Sequence, residues 1–189
     1  MHQWDEAPRE DDRILLARIA EKDRCALDAL YDRYRVSLFR YCCWLMPERE
    51  SAEELLQETL IAVWQSAGGY AGRATARAWI LGIARRQAHN TRRRSRLTFA
   101  DGEVPEMVES PDPDPEEAVL DRAGCAEIAR AIETLSPLHQ EVLRLTFVHE
   151  LSYGGLAETL GIPIGTVKSR LNLARRELRA ALNERETPQ

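Results

Sequence analysis

The stretch 161-GIPIGTVKSRLNLARRELRAAL-182 decides how the chain is read. Gly161, Pro163 and Gly165 make a turn, and from about Ile164 onward Ile164, Val167, Leu171, Ala174, Leu178 and Leu182 recur at intervals of three and four, the spacing of one helix face. At about 100° per residue, Ser169, Asn172, Leu173 and Arg176 fall on the other side, flanked by Lys168, Arg170, Arg175 and Arg179. Upstream, Tyr153 to Leu160 forms a short helix with Leu156, Ala157 and Leu160 inward, which Gly161 ends because glycine accepts the left-handed conformation of many helix termini. Before it, Ser136-Pro137 is a cap followed by proline at the first helical position, opening the amphipathic LHQEVLRLTF. Two short helices, a glycine turn and a polar and basic second helix make a helix-turn-helix, whose second helix enters the DNA major groove with its N-terminal residues at base edges. A plain amphipathic surface helix would share the periodicity. It would not need the slender hydrogen-bonding side chains Thr166, Ser169 and Asn172 beside the basic ones, which suit groove insertion.

A net charge of −5 argues at first against a nucleic-acid partner. The charge is unevenly placed. Residues 98–121, TFADGEVPEMVESPDPDPEEAVLD, carry nine acids, no bases and Pro105, Pro111, Pro113 and Pro115. Proline removes backbone donors, like charges repel, and few apolar side chains offset the ordering entropy, so this is a linker. Taking its nine negative charges from −5 leaves +4 for the flanking segments. The expected organisation is therefore a lobe over 11–97, an acidic linker over 98–121 and a second lobe over 122–185.

The first lobe also reads as helical. DDRILLARIA begins with acids suited to a helix N-terminus, and RCALDALYDRYRVSLFRYCCWLM holds helical spacing until Pro47. SAEELLQETLIAVW opens with Ser51 and Glu54 in capping-box order, with Leu56, Leu60 and Val63 as the expected buried stripe and Glu54, Glu58 and Ile61 opposite. A glycine-rich loop, QSAGGYAGRAT, leads into ARAWILGIARRQAHNTRRRSR, where Trp79, Ile80 and Ile83 face one side and Arg77, Arg85, Arg92 and Arg96 the other. Arginines along one helix face can follow a phosphate backbone, and Tyr70 and Arg73 in the loop offer a stacking ring and a cation to single-stranded DNA. No alternating strand pattern with hairpin turns occurs, so the fold class is all-α: two small helical domains joined by an acidic, proline-rich linker.

His2, His89, His139 and His149 stand apart, with no nucleophile–base spacing, no H-E-x-x-H and no phosphate-binding glycine loop, so no enzyme activity is expected. Cys25, Cys42, Cys43 and Cys125 follow no metal-ligand spacing and read as reduced structural thiols, with direct oxidant sensing by Cys42, Cys43 or Cys125 as the alternative. No apolar run is long enough to cross a bilayer and the opening residues lack secretory-signal order, so a cytoplasmic location is expected.

These residues together resemble a known family. SPLHQEVLRLTFVHELSYGGLAETLGIPIGTVKSRLNLARRELRAAL looks like region 4 of the bacterial extracytoplasmic-function (ECF) sigma factors of the sigma-70 family. SAEELLQETLIAVW resembles their region 2.2, and AWILGIARRQAHNTRRR their region 2.4. The resemblance implies a promoter-specificity subunit of RNA polymerase, with sigma region 2 on the minus-ten element and region 4 on minus-thirty-five. It implies polymerase docking through Glu54, Gln57 and Glu58, beside Ile61; minus-ten contacts from Tyr70, Arg73, Arg77, Arg85, Arg92 and Arg96; and minus-thirty-five contacts from Gly165, Thr166, Lys168, Ser169, Arg170, Asn172, Leu173, Arg175 and Arg176. The partners implied are the polymerase core, through its beta-prime clamp helices and beta flap, promoter DNA and an anti-sigma factor, with no metal, cofactor or membrane insertion. The chain departs from the family pattern at Glu54, usually Asp, at Arg86 and Asn90, commonly Asn and Asp, at Gly155, usually Glu, and at Leu173, often Arg. A helix-turn-helix regulator whose first lobe dimerises or senses a signal is the competing reading. For the linker, a path near the polymerase active-site cleft and RNA exit stands against a solubilising tether.

Overall fold

The computed structural model describes residues 11–98 and 122–185. The described residues form eight α-helices and no strand: α1 Asp12–Ala20, α2 Arg24–Leu45, α3 Arg49–Ser66, α4 Ala76–Thr98, α5 Arg122–Glu133, α6 Pro137–Phe147, α7 Tyr153–Leu160 and α8 Ile164–Arg185, with a 3-10 turn at Ala67–Gly69. The chain divides into two compact units between Ser110 and Pro111. The linker reading over 98–121 lies outside the described residues, except Thr98, which closes α4 instead of opening the linker.

In the first unit α1 to α4 pack on one another. Asp11 caps α1 by accepting the backbone N–H of Arg13 at 2.9 Å. Asp23 caps α2 by accepting from Cys25 and Ala26, while its other oxygen takes Arg18 Nε and Nη2 at 2.9 and 2.7 Å. That guanidinium contact holds the Asp23 carboxyl below its ordinary range. One carboxylate thus opens α2 and ties it to α1. Leu15, Leu16, Ile19, Leu30, Leu55 and Leu81 are buried at the centre. Each contributes roughly 2 kcal/mol of hydrophobic stabilisation.

Two expectations for α3 are corrected. The helix starts at Arg49 with Glu48 at the N-cap position and no side-chain cap bond, so Ser51 lies inside the first turn and the Ser51–Glu54 capping box does not form. Pro47 ends α2 and fixes an extended entry, and Ala52, fully buried, draws the first turn inward, its N–H donating to the Glu48 carbonyl. The buried stripe is Ala52, Leu55, Thr59 and Val63, with Leu56 and Leu60 at its half-exposed edge. A threonine tolerates this burial because its hydroxyl donates to the Leu55 carbonyl at 2.7 Å.

In the second unit Ser136 accepts from His139 N–H with Pro137 behind it, and Ser152 accepts from Gly155 N–H at 3.2 Å. Gly161 sits at φ 66°, ψ 35°, the left-handed cap expected from sequence. Val142, Leu145, Leu156, Val167, Leu171 and Ala174 form the core. Ile164 does not join them: at the first position of α8 it overhangs the turn and is 48% exposed. Ala157 is half-buried, and Gly155 and Thr159 fill the inner face of α7 beside Leu156 and Leu160. Helix α5, which the sequence reading left without an element, is closed by Gln140, whose amide donates to the carbonyls of Glu133 and Leu135.

Candidate functional sites

The second unit carries one candidate surface along α8. Burying Val167, Leu171 and Ala174 turns Lys168, Ser169, Asn172, Leu173, Arg175 and Arg176 to solvent, with Thr166 and Arg170 half-exposed. Ser169, Asn172, Leu173, Arg175, Arg176 and also Arg179 line one open surface concavity. Ser169 Oγ donates to the Thr166 carbonyl at 3.0 Å, leaving its lone pairs to accept from a base amino group. Lys168 lies 6.0 Å above the ring of Tyr153, and Arg175 5.8 Å above Phe147, so two of the cations rest on rings from neighbouring elements. Gly165 has open space around its Cβ position, leaving the first-turn N–H groups of α8 open to approach by a phosphate. His139 Nδ1 meets Glu177 Oε2 at 2.6 Å, fixing α8 against α6.

The first unit carries two candidate surfaces. On α3, Glu54, Gln57, Glu58 and Ile61 are all exposed at positions i, i+3, i+4 and i+7, Ile61 at 56%. An isoleucine kept in water among carboxylates, on a helix whose opposite side is fully packed, is suited to a partner with an apolar and basic face.

The other surface is the loop before α4. Tyr70 donates from its hydroxyl to the Ala74 carbonyl at 2.6 Å and its ring tilts 58° against that of Trp79, centroids 5.4 Å apart. Gly72, at φ 66°, supplies the left-handed residue that lets the loop turn, and Arg73 is exposed beside it. The arginines of α4 are not equivalent. Arg77 stacks 5.7 Å over the ring of Tyr34, Arg85 is half-buried, and Arg92 donates to the carbonyl oxygen of Leu45 at the end of α2. Arg96 lies on the last turn of α4, where the structure describes the backbone alone. With Ile80, Leu81, Ala84 and Ala88 buried, the direction opposite them at about 100° per residue holds Arg86, His89, Asn90 and Arg93, all exposed. The sequence reading placed the basic face one step round the helix because its apolar stripe was headed by Trp79, which is half-buried against Tyr70, and left out Leu81, Ala84 and Ala88.

Among the described residues no group of His, Cys, Asp and Glu is placed to hold a metal, and no helix is long and apolar enough to cross a membrane.

Comparison with known proteins gives the family and the fold. Residues 30–98 match the family model for sigma-70 region 2, and residues 125–178 the model for sigma-70 region 4. The chain is 36% identical over 168 residues to the ECF RNA polymerase sigma factor SigL of Mycobacterium tuberculosis, covering 87% of this chain and 93% of that one. It is 32% identical over 174 residues to SigK of Mycobacterium sp. (strain KMS), covering 89% of each. Among solved structures, CnrH in complex with the cytosolic domain of CnrY is similar in fold, with a TM-score of 0.65 at 23% identity over 93% of this chain and 99% of that one. So is RpoE in complex with the anti-sigma factor NepR from Bartonella quintana, at a TM-score of 0.65 and 23% identity over 82% of this chain and 96% of that one.

Proposed function

The chain belongs to the ECF sigma factors of the sigma-70 family, and from that premise we propose how its surfaces divide the work of promoter recognition. It directs core RNA polymerase to specific promoters in transcription initiation. Glu54, Gln57, Glu58 and Ile61 dock on the beta-prime clamp helices. The loop carrying Tyr70 and Arg73 receives the minus-ten non-template strand, with Arg86 and Arg93 offering the outward cations of α4. Lys168, Ser169, Asn172 and Leu173 meet base edges in minus-thirty-five, while Gly165, Thr166, Arg170, Arg175 and Arg176 meet phosphates. The chemistry belongs to the polymerase, and the protein acts in the cytoplasm under an anti-sigma factor that covers these surfaces.

The observation that carries this assignment is the exposed face of α3, where Ile61, 56% accessible, continues the row of Glu54, Gln57 and Glu58 on the side opposite the buried Ala52, Leu55, Thr59 and Val63. The test is run-off transcription with purified core polymerase and a promoter library, comparing wild type with the Gln57→Ala, Glu58→Ala double variant. Promoter-specific transcripts that fade in the variant, with its helical content intact, support the docking face. Full activity in the variant moves docking elsewhere. No transcripts from wild type, with tight binding to duplex DNA by the protein alone, would replace the assignment with a repressor.

A further inference from the structure

The first turn of α1 comes up beneath the loop that precedes α4. The guanidinium of Arg13 lies 3.8 to 3.9 Å from the position a Cβ on Gly72 would occupy, approached by its Nε, Cζ and Nη2 atoms. Its charge also acts on the Tyr70 hydroxyl of the same loop, which donates to the Ala74 carbonyl at 2.6 Å. Of its acidic neighbours among the described residues, Asp12 holds Arg33 and the Tyr34 hydroxyl, and Asp11 accepts the backbone N–H of Arg13. Arg13 is exposed, and among the described residues it forms no ion pair. A delocalised cation set beside a left-handed glycine of the loop, and exposed to water, has donors to offer a phosphodiester.

We propose that Arg13 of α1 is a further single-stranded DNA contact, holding a backbone phosphate of the non-template strand while that strand lies on the Tyr70–Arg73 loop. This inference rests on the minus-ten reading of that loop. It makes α1 part of the DNA site, although Arg13 lies far earlier in the chain than that loop. Its guanidinium would supply the positive charge that the loop itself offers only through Arg73.

The experiment measures anisotropy of a labelled single-stranded non-template oligonucleotide, taken from a promoter that the wild-type holoenzyme transcribes, against holoenzyme over a series of salt concentrations. Arg13→Gln is expected to weaken binding about tenfold, the effect of one charge-assisted hydrogen bond. It should also lower the slope of log affinity against log salt by about 0.7, one single-strand phosphate contact. Arg13→Lys should restore the slope, and Tyr70→Phe, which removes the hydroxyl and its bond to the Ala74 carbonyl but keeps the cation, should leave the slope at its wild-type value. An unchanged slope in Arg13→Gln overturns the proposal: with affinity unchanged Arg13 is a surface cation, and with affinity reduced as in Tyr70→Phe it only props the loop. Failure of wild-type holoenzyme to bind the oligonucleotide would overturn the minus-ten reading itself.

Discussion

Lys22 donates from Nζ to the carbonyl oxygen of Trp64 at 2.9 Å and lies 5.2 Å above the ring of that tryptophan. The bond joins the turn between α1 and α2 to the last turn of α3, just ahead of the glycine loop. A lysine there works against its own backbone, since φ is 68° and a side chain in the left-handed region costs about 1 kcal/mol. The charged bond to a helix C-terminus returns about the same amount. Lys22→Ala keeps the strain and loses the bond, and should lower stability by about 1 kcal/mol. Lys22→Gly loses both and should stay close to wild type. Thermal unfolding of the full chain checks the order: glycine melting below alanine would mean the strain is not there.

Asp23 links α1 and α2 through charge, so its contribution depends on pH. Its folded carboxyl titrates below the ordinary 3.8 because Arg18 hydrogen-bonds it. The stabilisation is therefore fully present above about pH 4, the unfolded value, and is lost as pH falls through the lower folded value. The difference in Tm between wild type and Asp23→Asn should be constant from neutrality to about pH 4 and shrink below that. A gap that widens on acidification would contradict the assignment.

Arg92 and Arg93 are adjacent in sequence and should behave differently. Arg92 donates to the Leu45 carbonyl and so closes the end of α2, whereas Arg93 points into water opposite the buried stripe of α4. Arg92→Ala should cost about 1 kcal/mol of stability, the value of a partly exposed hydrogen bond. Arg93→Ala should leave Tm unchanged and reduce the salt dependence of promoter binding. Equal effects of both on DNA affinity with no change in Tm would restore Arg92 to the DNA face.

What was legible in the sequence and what was not divides on physical grounds. Gly161 and Ser136-Pro137 were readable because each meets a backbone requirement that few residues satisfy, and both sit where expected. The buried stripe of α3 was misplaced because it runs through Thr59, whose burial depends on a hydroxyl bond that no hydropathy pattern shows. The engaged Arg92 and the engaging Arg13 were equally hidden, since a cation's partner 47 residues away or across a loop leaves no periodic trace. Helix α5 begins where an acidic, proline-rich run ends, which masked a pattern only 12 residues long.

The cysteines of α2 should be poor redox sensors. Burial, with a smaller contribution from adjacent Cys43, pushes the Cys42 thiol up to about 12, and burial also raises Cys43. A thiol held protonated is neither a good nucleophile nor readily oxidised. Brief alkylation at neutral pH followed by peptide mass spectrometry should label exposed Cys25 first, Cys43 slowly and Cys42 only after denaturation. Cys125 lies outside the side chains the structure describes. Rapid labelling of Cys42 in the folded chain would reopen sensing within α2.

Leu173 is 41% exposed on the polar side of α8, in the same concavity as Asn172 and Arg176. Its side chain cannot hydrogen-bond, so at a base edge it can favour only an apolar contact, and the thymine C5 methyl is the one the major groove offers. Leu173→Arg places a guanidinium that can reach guanine O6 and N7 in a bidentate pair, worth about 1–3 kcal/mol of discrimination. The core is untouched, because Val167, Leu171 and Ala174 face the other way. Selection from a promoter library randomised across minus-thirty-five should therefore show one position moving from thymine toward guanine in the variant, with the other positions and Tm held. A variant that selects the same promoters as wild type would remove Leu173 from the base-reading set and leave Lys168, Ser169 and Asn172 to carry it.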